Sequence, residues 1–216
     1  AGLHIYTTMD TKVQTAIEEA YQNPDNFPKT NTKRPVQSAM VVLDHSTGEI
    51  VGLIGGREHV TQRGLNRATQ IKRSPGSVIK PLVVYGPALE LGFTPATVFD
   101  DVPVSYPSVG KPYEPKNYDN QWRGLVTMRE AVRLSINIAA VKTLDMIGVD
   151  TGFEFGKRLG LSLTESDRNL SLSLGGVSRG MSPLEIASAY GAFANQGIRV
   201  EPYAIKKITD AEGNIL

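Results

Sequence analysis

The sequence predicts an α+β fold, an antiparallel sheet flanked by helices, and three features of the 216-residue chain point there. Two apolar runs rich in valine and isoleucine, residues 38–43 and 49–54, flank Asp44-His45-Ser46-Thr47-Gly48, so they read as a hairpin in the middle of a sheet. A later stretch, from Ser77 to about Leu91, is apolar nearly all round, the signature of a helix buried inside a domain. Finally, Thr127-Met128-Arg129-Glu130 and Ser182-Pro183-Leu184-Glu185 are capping boxes, each opening a further helix.

Composition narrows the class without naming a function. With 40% hydrophobic and 21% charged residues the chain can bury a sizeable core, and one domain is expected. A net charge of +1 argues against nucleic-acid binding, which leaves a marked basic excess. No cysteine is present for disulfides or thiolate metal sites, and His4, His45 and His59 are too scattered for a metal cluster, so neither metal nor cofactor is expected. No apolar run reaches the ~18 residues of a membrane span, and no signal peptide opens the chain. Any anchor is expected outside this sequence.

In chain order, Leu3, Ile5, Thr7 and Met9 alternate with His4, Tyr6 and Thr8 as a short half-buried strand. Asp10 then caps a helix with Val13, Ala16, Ile17 and Ala20 on one stripe. Residues 23–35 form a polar, proline-containing loop before the hairpin. Between positions 57 and 73 stand Arg57, Arg63, Arg67, Lys72 and Arg73 against Glu58 alone, a solvated loop or a weak field for an anionic ligand near Ser77. In the apolar helix, Ser77 serves as the cap, Pro81 costs only the first intrahelical bond, and Pro87 bends the second half. Residues 97–123 hold four prolines and the aromatics Tyr106, Tyr113, Tyr118 and Trp122, a long loop that is a candidate cleft wall. The helix after Thr127 turns Ala131, Val132 and Leu134 inward, and Ser135-Ile136-Asn137 breaks it. A second apolar helix runs from Ile138 to Ile147 and stops at Gly148. Another spans about 151–159, the last helix runs from Pro183 to about Asn195, residues 203–208 form a strand, and 210–213 form a turn.

The chemistry centres on Ser77 and Lys80. Three residues apart at the start of a helix, the hydroxyl and the amine lie on one face. A serine needs a base within hydrogen-bond reach to become a useful nucleophile, and a neighbouring lysine can be that base. A serine three residues before a lysine is common by chance, so the pair gains weight only from its place on an apolar helix and from the polar tripeptide Ser135-Ile136-Asn137 at a helix break. That tripeptide also reads as a capping serine and a turn asparagine.

Ser77-Val78-Ile79-Lys80 and Ser135-Ile136-Asn137 resemble the first and second motifs of the penicillin-binding proteins, in particular the transpeptidase domain of their bifunctional class A members. The resemblance runs almost the whole length. Residues 2–10 are similar to the family's entry into this domain, and Asn66-Arg67-Ala68 with Ser74-Pro75-Gly76 to its approach to the nucleophile. Asn117-Tyr118-Asp119, Leu174-Gly175-Gly176 and the 182–185 capping box follow in order. The third motif, lysine then threonine or serine then glycine, is absent: Lys29-Thr30-Asn31 and Lys142-Thr143-Leu144 do not qualify. In the family it lies on a later strand that supplies an oxyanion-hole N–H, a donor worth about 3–4 kcal/mol in comparable sites.

The resemblance therefore implies the penicillin-binding and serine β-lactamase-like fold, lacking its later strands. The chain is expected to be a single, C-terminally incomplete domain over 1–216, with an entry strand, helix and loop at 1–36 and the catalytic portion at 37–216, inactive until a further segment brings the third motif. It implies Ser77 as nucleophile on the D-alanyl-D-alanine end of peptidoglycan stem peptides, Lys80 as base, Ser135 as proton relay, Asn137 as substrate-amide holder, and β-lactams as acylating mimics. A place on the extracytoplasmic face of the bacterial membrane, through an N-terminal anchor, goes with it. D,D-carboxypeptidases and serine β-lactamases share the first motif, but the one glutamate with lactamase spacing, in Glu114-Pro115-Lys116-Asn117, precedes Ser135 and so falls in the wrong order. A non-catalytic cell-wall-binding module has no reason to retain Ser77, Lys80, Ser135 and Asn137 together.

Overall fold

The computed structural model describes residues 2–31, 35–58 and 61–216. The polar loop over 23–35 and the basic stretch over 57–73 each contain positions outside that set, as does His59. Two compact units are formed, one by residues 1–72 with 181–216 and the other by residues 73–180.

In the first unit, strand β1 (His4–Thr7) pairs antiparallel with β6 (Ile205–Thr209), and β2 (Met40–Leu43) with β3 (Ile50–Ile54). The antiparallel hairpin is as the sequence predicts; among the described residues it forms a two-stranded sheet joined by a bridge from Glu49 to Tyr203, rather than the middle of a wider sheet. β1 departs from its half-buried reading: Leu3, Ile5 and Tyr6 are all exposed, because β6 is its one partner among the described residues. Helix α1 (Thr11–Gln22) is capped by Asp10, whose carboxylate accepts from the N–H groups of Lys12 and Val13. Of the expected stripe Val13 and Ile17 face β3, joined by Tyr21, while Ala16 and Ala20 face solvent. Gly52 of β3 makes that possible, since a Cβ there would lie 2.7 Å from Ile17 Cδ1.

Three cations of the basic stretch have structural partners in this unit: Arg57 stacks over Phe27, Arg67 donates to Gly55 O, and Lys72 pairs with Glu185 at 3.0 Å. Helix α6 (Pro183–Ala194) begins with the reciprocal capping box read from sequence, Ser182 Oγ accepting from Glu185 N and Glu185 accepting from Ser182 N.

The second unit is built around one helical segment with three hydrogen-bond patterns: a 3-10 turn over Gly76–Ile79, a π turn over Pro81–Tyr85, and α2 (Gly86–Glu90). Two prolines impose this. Pro81 cannot donate to Ser77 O, so the N–H of Lys80 does, closing a 3-10 turn; Pro87 cannot donate to Val83 O, so the α pattern fails there too. The cap position is Pro75 with no side-chain bond, and Ser77 lies inside the first turn rather than capping it. Ile79, Leu82, Val83 and Val84 are fully buried, as the all-round apolar pattern predicts.

Strands β4 (Val98–Asp101) and β5 (Gly124–Thr127) pair antiparallel at the two ends of the proline-rich loop. Helix α3 (Met128–Arg133) has half of its expected capping box: Thr127 Oγ1 accepts from Glu130 N, while the Glu130 carboxylate pairs with Arg133. It buries Met128 and Ala131, and the expected inward Val132 and Leu134 are exposed. Helices α4 (Asn137–Ile147) and α5 (Val149–Arg158) then pack on the central segment.

Candidate active site

The first two motifs meet although 55 residues separate them. Lys80 is 2% exposed, and its Nζ donates to Ser135 O at 2.7 Å, Ser135 Oγ at 3.1 Å and Asn137 Oδ1 at 2.7 Å. Those three acceptors use all three donors of an ammonium. Burial nevertheless disfavours the charge and pulls Lys80 down from its usual value to about 8. Ser77 is exposed, and among the described residues its Oγ makes no hydrogen bond. Because residues three apart eclipse in a 3-10 turn, the hydroxyl and the lysine stem share one face, as the spacing predicts.

Ser135 owes its position to the end of α3. Its φ is +53°, a left-handed conformation that costs a residue with a Cβ about 1–2 kcal/mol. Around it the backbone closes a Schellman turn, Ile136 N donating to Ala131 O at 2.9 Å and Ser135 N to Val132 O at 3.1 Å. Glycine is the ordinary choice there, so a serine at this point places a hydroxyl beside Lys80 at the expense of local strain. The sequence-level reading of a capping serine is thereby replaced by a C-terminal left-handed turn.

Asn137 is the first residue of α4. Its Nδ2 donates to Lys116 O at 2.9 Å, which leaves Oδ1 to accept from Lys80. The position before it, Ile136, offers no capping side chain, and the task falls to Asn117, whose Oδ1 accepts from the N–H groups of Asn137 at 2.9 Å and Ile138 at 3.1 Å. The proline-rich loop thus supports the site from behind. Its Pro103, Glu114, Lys116 and Trp122 also line a cavity of about 250 Å³ within the loop itself.

Two further supports were not legible in sequence. A Cβ on Gly175, whose φ is +84°, would lie 2.5 Å from Gly76 N, and Ser74 Oγ donates to Gly175 O at 2.7 Å, so the 175 loop braces the turn carrying Ser77. Asp101, fully buried at the end of β4, accepts from Asn117 Nδ2 at 2.7 Å and from Arg123 N at 3.1 Å. Nothing local in the sequence distinguishes Asp101 from Asp100. Among the described residues no cluster of histidine and carboxylate side chains could hold a metal ion.

Residues 38–215 match the family model of the penicillin binding protein transpeptidase domain. The chain is 39% identical to penicillin-binding protein 1A of Clostridium tetani, an alignment covering all of this chain and 30% of that protein. It resembles the crystal structure of penicillin-binding protein 1A from Haemophilus influenzae with a TM-score of 0.75 at 36% identity, over 83% of this chain and 26% of that one. PonA1 from Mycobacterium tuberculosis, in complex with penicillin V, has the same fold, with a TM-score of 0.80 at 24% identity over 100% of this chain and 57% of that chain. The chain spans about 30% of the length of that Clostridium tetani protein.

Proposed function

Because the chain belongs to the penicillin-binding protein transpeptidase family, we propose that it is the part of a peptidoglycan D,D-transpeptidase that carries the acylated serine. The observation behind this reading is the Lys80 amine, buried, held against Ser135 and Asn137, and one turn from the free hydroxyl of Ser77. Ser77 Oγ attacks the carbonyl between two terminal D-alanines of a stem peptide. Lys80 in its neutral form takes the hydroxyl proton, a Ser77 O–C bond forms, the peptide C–N bond breaks, and the proton passes through Ser135 Oγ to the departing D-alanine nitrogen. The amine of a second stem peptide then attacks the ester, restoring Ser77 and making the cross-link. Asn137 holds the substrate amide and orients Lys80.

The same steps open a β-lactam ring, whose nitrogen cannot leave, so the adduct persists. No Lys-Thr/Ser-Gly triplet occurs in this sequence, and we propose that turnover requires a further segment that supplies it. We place the complete protein on the outer face of the bacterial membrane; among the described residues no helix is long and apolar enough to cross a membrane.

The deciding experiment is intact mass and peptide mapping of the complete protein after incubation with penicillin. One whole penicillin added to the peptide containing Ser77 is expected. No addition, or addition elsewhere, overturns the assignment, and rapid release of hydrolysed penicillin favours a β-lactamase instead.

A pH profile tests the base. A lysine titrating at about 8 is neutral in roughly one molecule in ten at pH 7, against fewer than one in a thousand at its ordinary value. The neutral form is the active one, so the acylation rate rises almost tenfold per pH unit below the bend and levels above it. The bend is expected near 8, or lower if a third-motif cation adds its repulsion. A rate that falls between pH 6 and about 8 rules Lys80 out as the base.

A further inference from the structure

We propose that Asn117, locked by the buried carboxylate of Asp101, is a positioning residue that sets where Asn137 and Lys80 meet; the inference rests on the reading of Ser77 as the acylated serine. The Asn117 side chain is 5% exposed and all four of its hydrogen-bonding positions are used. Oδ1 accepts from Asn137 N and Ile138 N, and Nδ2 donates to Asp101 Oδ1 and to Gln121 O, each at 2.7 Å. An amide satisfied in this way has one orientation. Reversing it would set NH2 against two N–H groups and oxygen against a carboxylate and a carbonyl, four repulsive contacts in place of four bonds.

The carboxylate is what makes this asymmetric. Asp101 is fully buried, its other oxygen accepts from Arg123 N at 3.1 Å, and the Arg123 guanidinium stands 3.7 Å away to balance the charge. Both Asp101 oxygens accept, Oδ1 from Asn117 Nδ2 and Oδ2 from Arg123 N, so the Asn117 amide gives its NH2 to Asp101 and its oxygen turns toward α4. That oxygen fixes the first residue of α4, which is Asn137 itself. The neighbouring carbonyl of Lys116 takes Asn137 Nδ2, so Asn137 Oδ1 must face Lys80. A chain of imposed donor and acceptor choices therefore runs from Asp101 through residues 116–117 to the amine beside Ser135, and among the described residues no member of the loop hydrogen-bonds Lys80 itself.

A cap that served stability alone would behave differently. An aspartate at position 117 keeps the accepting oxygens and adds a charge favourable at a helix N-terminus, but it has no N–H for Asp101 or Gln121 O. The test measures the first-order acylation rate and the dissociation constant for a fluorescent penicillin separately, on the complete protein, below the unfolding temperature of every variant.

Asn117→Ala is expected to slow acylation about 10–100-fold while the dissociation constant moves less than about threefold, the effect of displacing a catalytic group by a fraction of an ångström to an ångström. Asn117→Asp should be slow as well, and adding Asp101→Asn to it, which restores a donor and an acceptor with their roles exchanged, should recover roughly tenfold. Acylation of Asn117→Ala or Asn117→Asp at the unsubstituted rate overturns the proposal. Should the alanine variant fail to fold, equal rates for Asn117→Asp and the double variant overturn it. Absence of an adduct in the unsubstituted protein overturns the reading of Ser77 and this proposal together, whereas a normal adduct with unaltered variant rates overturns the proposal alone.

Discussion

Lys80→Met in the complete protein is expected to leave the fold in place and to slow acylation of Ser77 by about 10²–10⁴-fold, the range for losing a positioned base. Methionine fills nearly the same volume, so the central helical segment keeps its packing against α4 and α5. What disappears is the proposed proton acceptor for Ser77 and the donor to Ser135 O, Ser135 Oγ and Asn137 Oδ1. Ser135 is exposed, so solvent can serve its O and Oγ, and the cost falls on Asn137 Oδ1, about 1–3 kcal/mol for one acceptor short of a partner, offset in part by the removal of a buried charge. Stability should therefore change little while the rate collapses. Lys80→Arg separates the two roles further: it retains charge and donors but stays protonated and cannot take the proton, so it should be as slow as the methionine variant. A variant that unfolds, or an arginine variant that acylates normally, would assign Lys80 to structure.

Gly152→Ala is the largest stability effect we expect away from the reacting groups. Gly152 lies in α5 with ordinary helical φ, where alanine is normally preferred. Here a Cβ would run into Val83 O and lie 2.5 Å from Leu144 Cδ1. Val83 O is the carbonyl that Pro87 leaves without its α-helical donor, and Gly152 lets the backbone of α5 approach it closely, where a Cα–H can give it weak compensation. The leucine could rotate away, but a backbone carbonyl in the π turn cannot without moving the helix that carries Lys80. The cost is about 3 kcal/mol, at the upper end for overpacking, or a fall of roughly 6–12 °C in the melting midpoint of a domain this size. A midpoint within about a degree of the unsubstituted protein would show that the two helices can separate freely.

How much of this could be read beforehand depends on the range of the interaction. Caps were legible at Asp10 and Ser182 because each side chain serves N–H groups two or three residues on. The cap of α4 was not, because Ile136 cannot supply it and the group that does lies 20 residues back in a loop. Helical periodicity placed Val132 and Leu134 inside, but α3 ends after six residues in a left-handed turn, too short for a stripe to find a partner. Ser77 was read as a cap; two prolines whose missing N–H groups fall at fixed offsets made a 3-10 turn and a π turn there instead.

By itself, then, the order of residues determined which groups could do chemistry, Ser77 with Lys80 and Ser135 with Asn137, together with the apolar helix that would bury an amine. Those are properties of composition and of neighbours within a turn or two, where backbone geometry leaves few choices. Tertiary structure alone decided that the two motifs join, that the Lys80 proton is loosened, that Asp101 and Asn117 stand behind them, and that Gly152 and Gly175 must lack a Cβ. Each of those results from what a folded chain brings alongside: a buried polar atom needs a partner from whatever segment passes, and two backbones can touch only where neither carries a side chain between them.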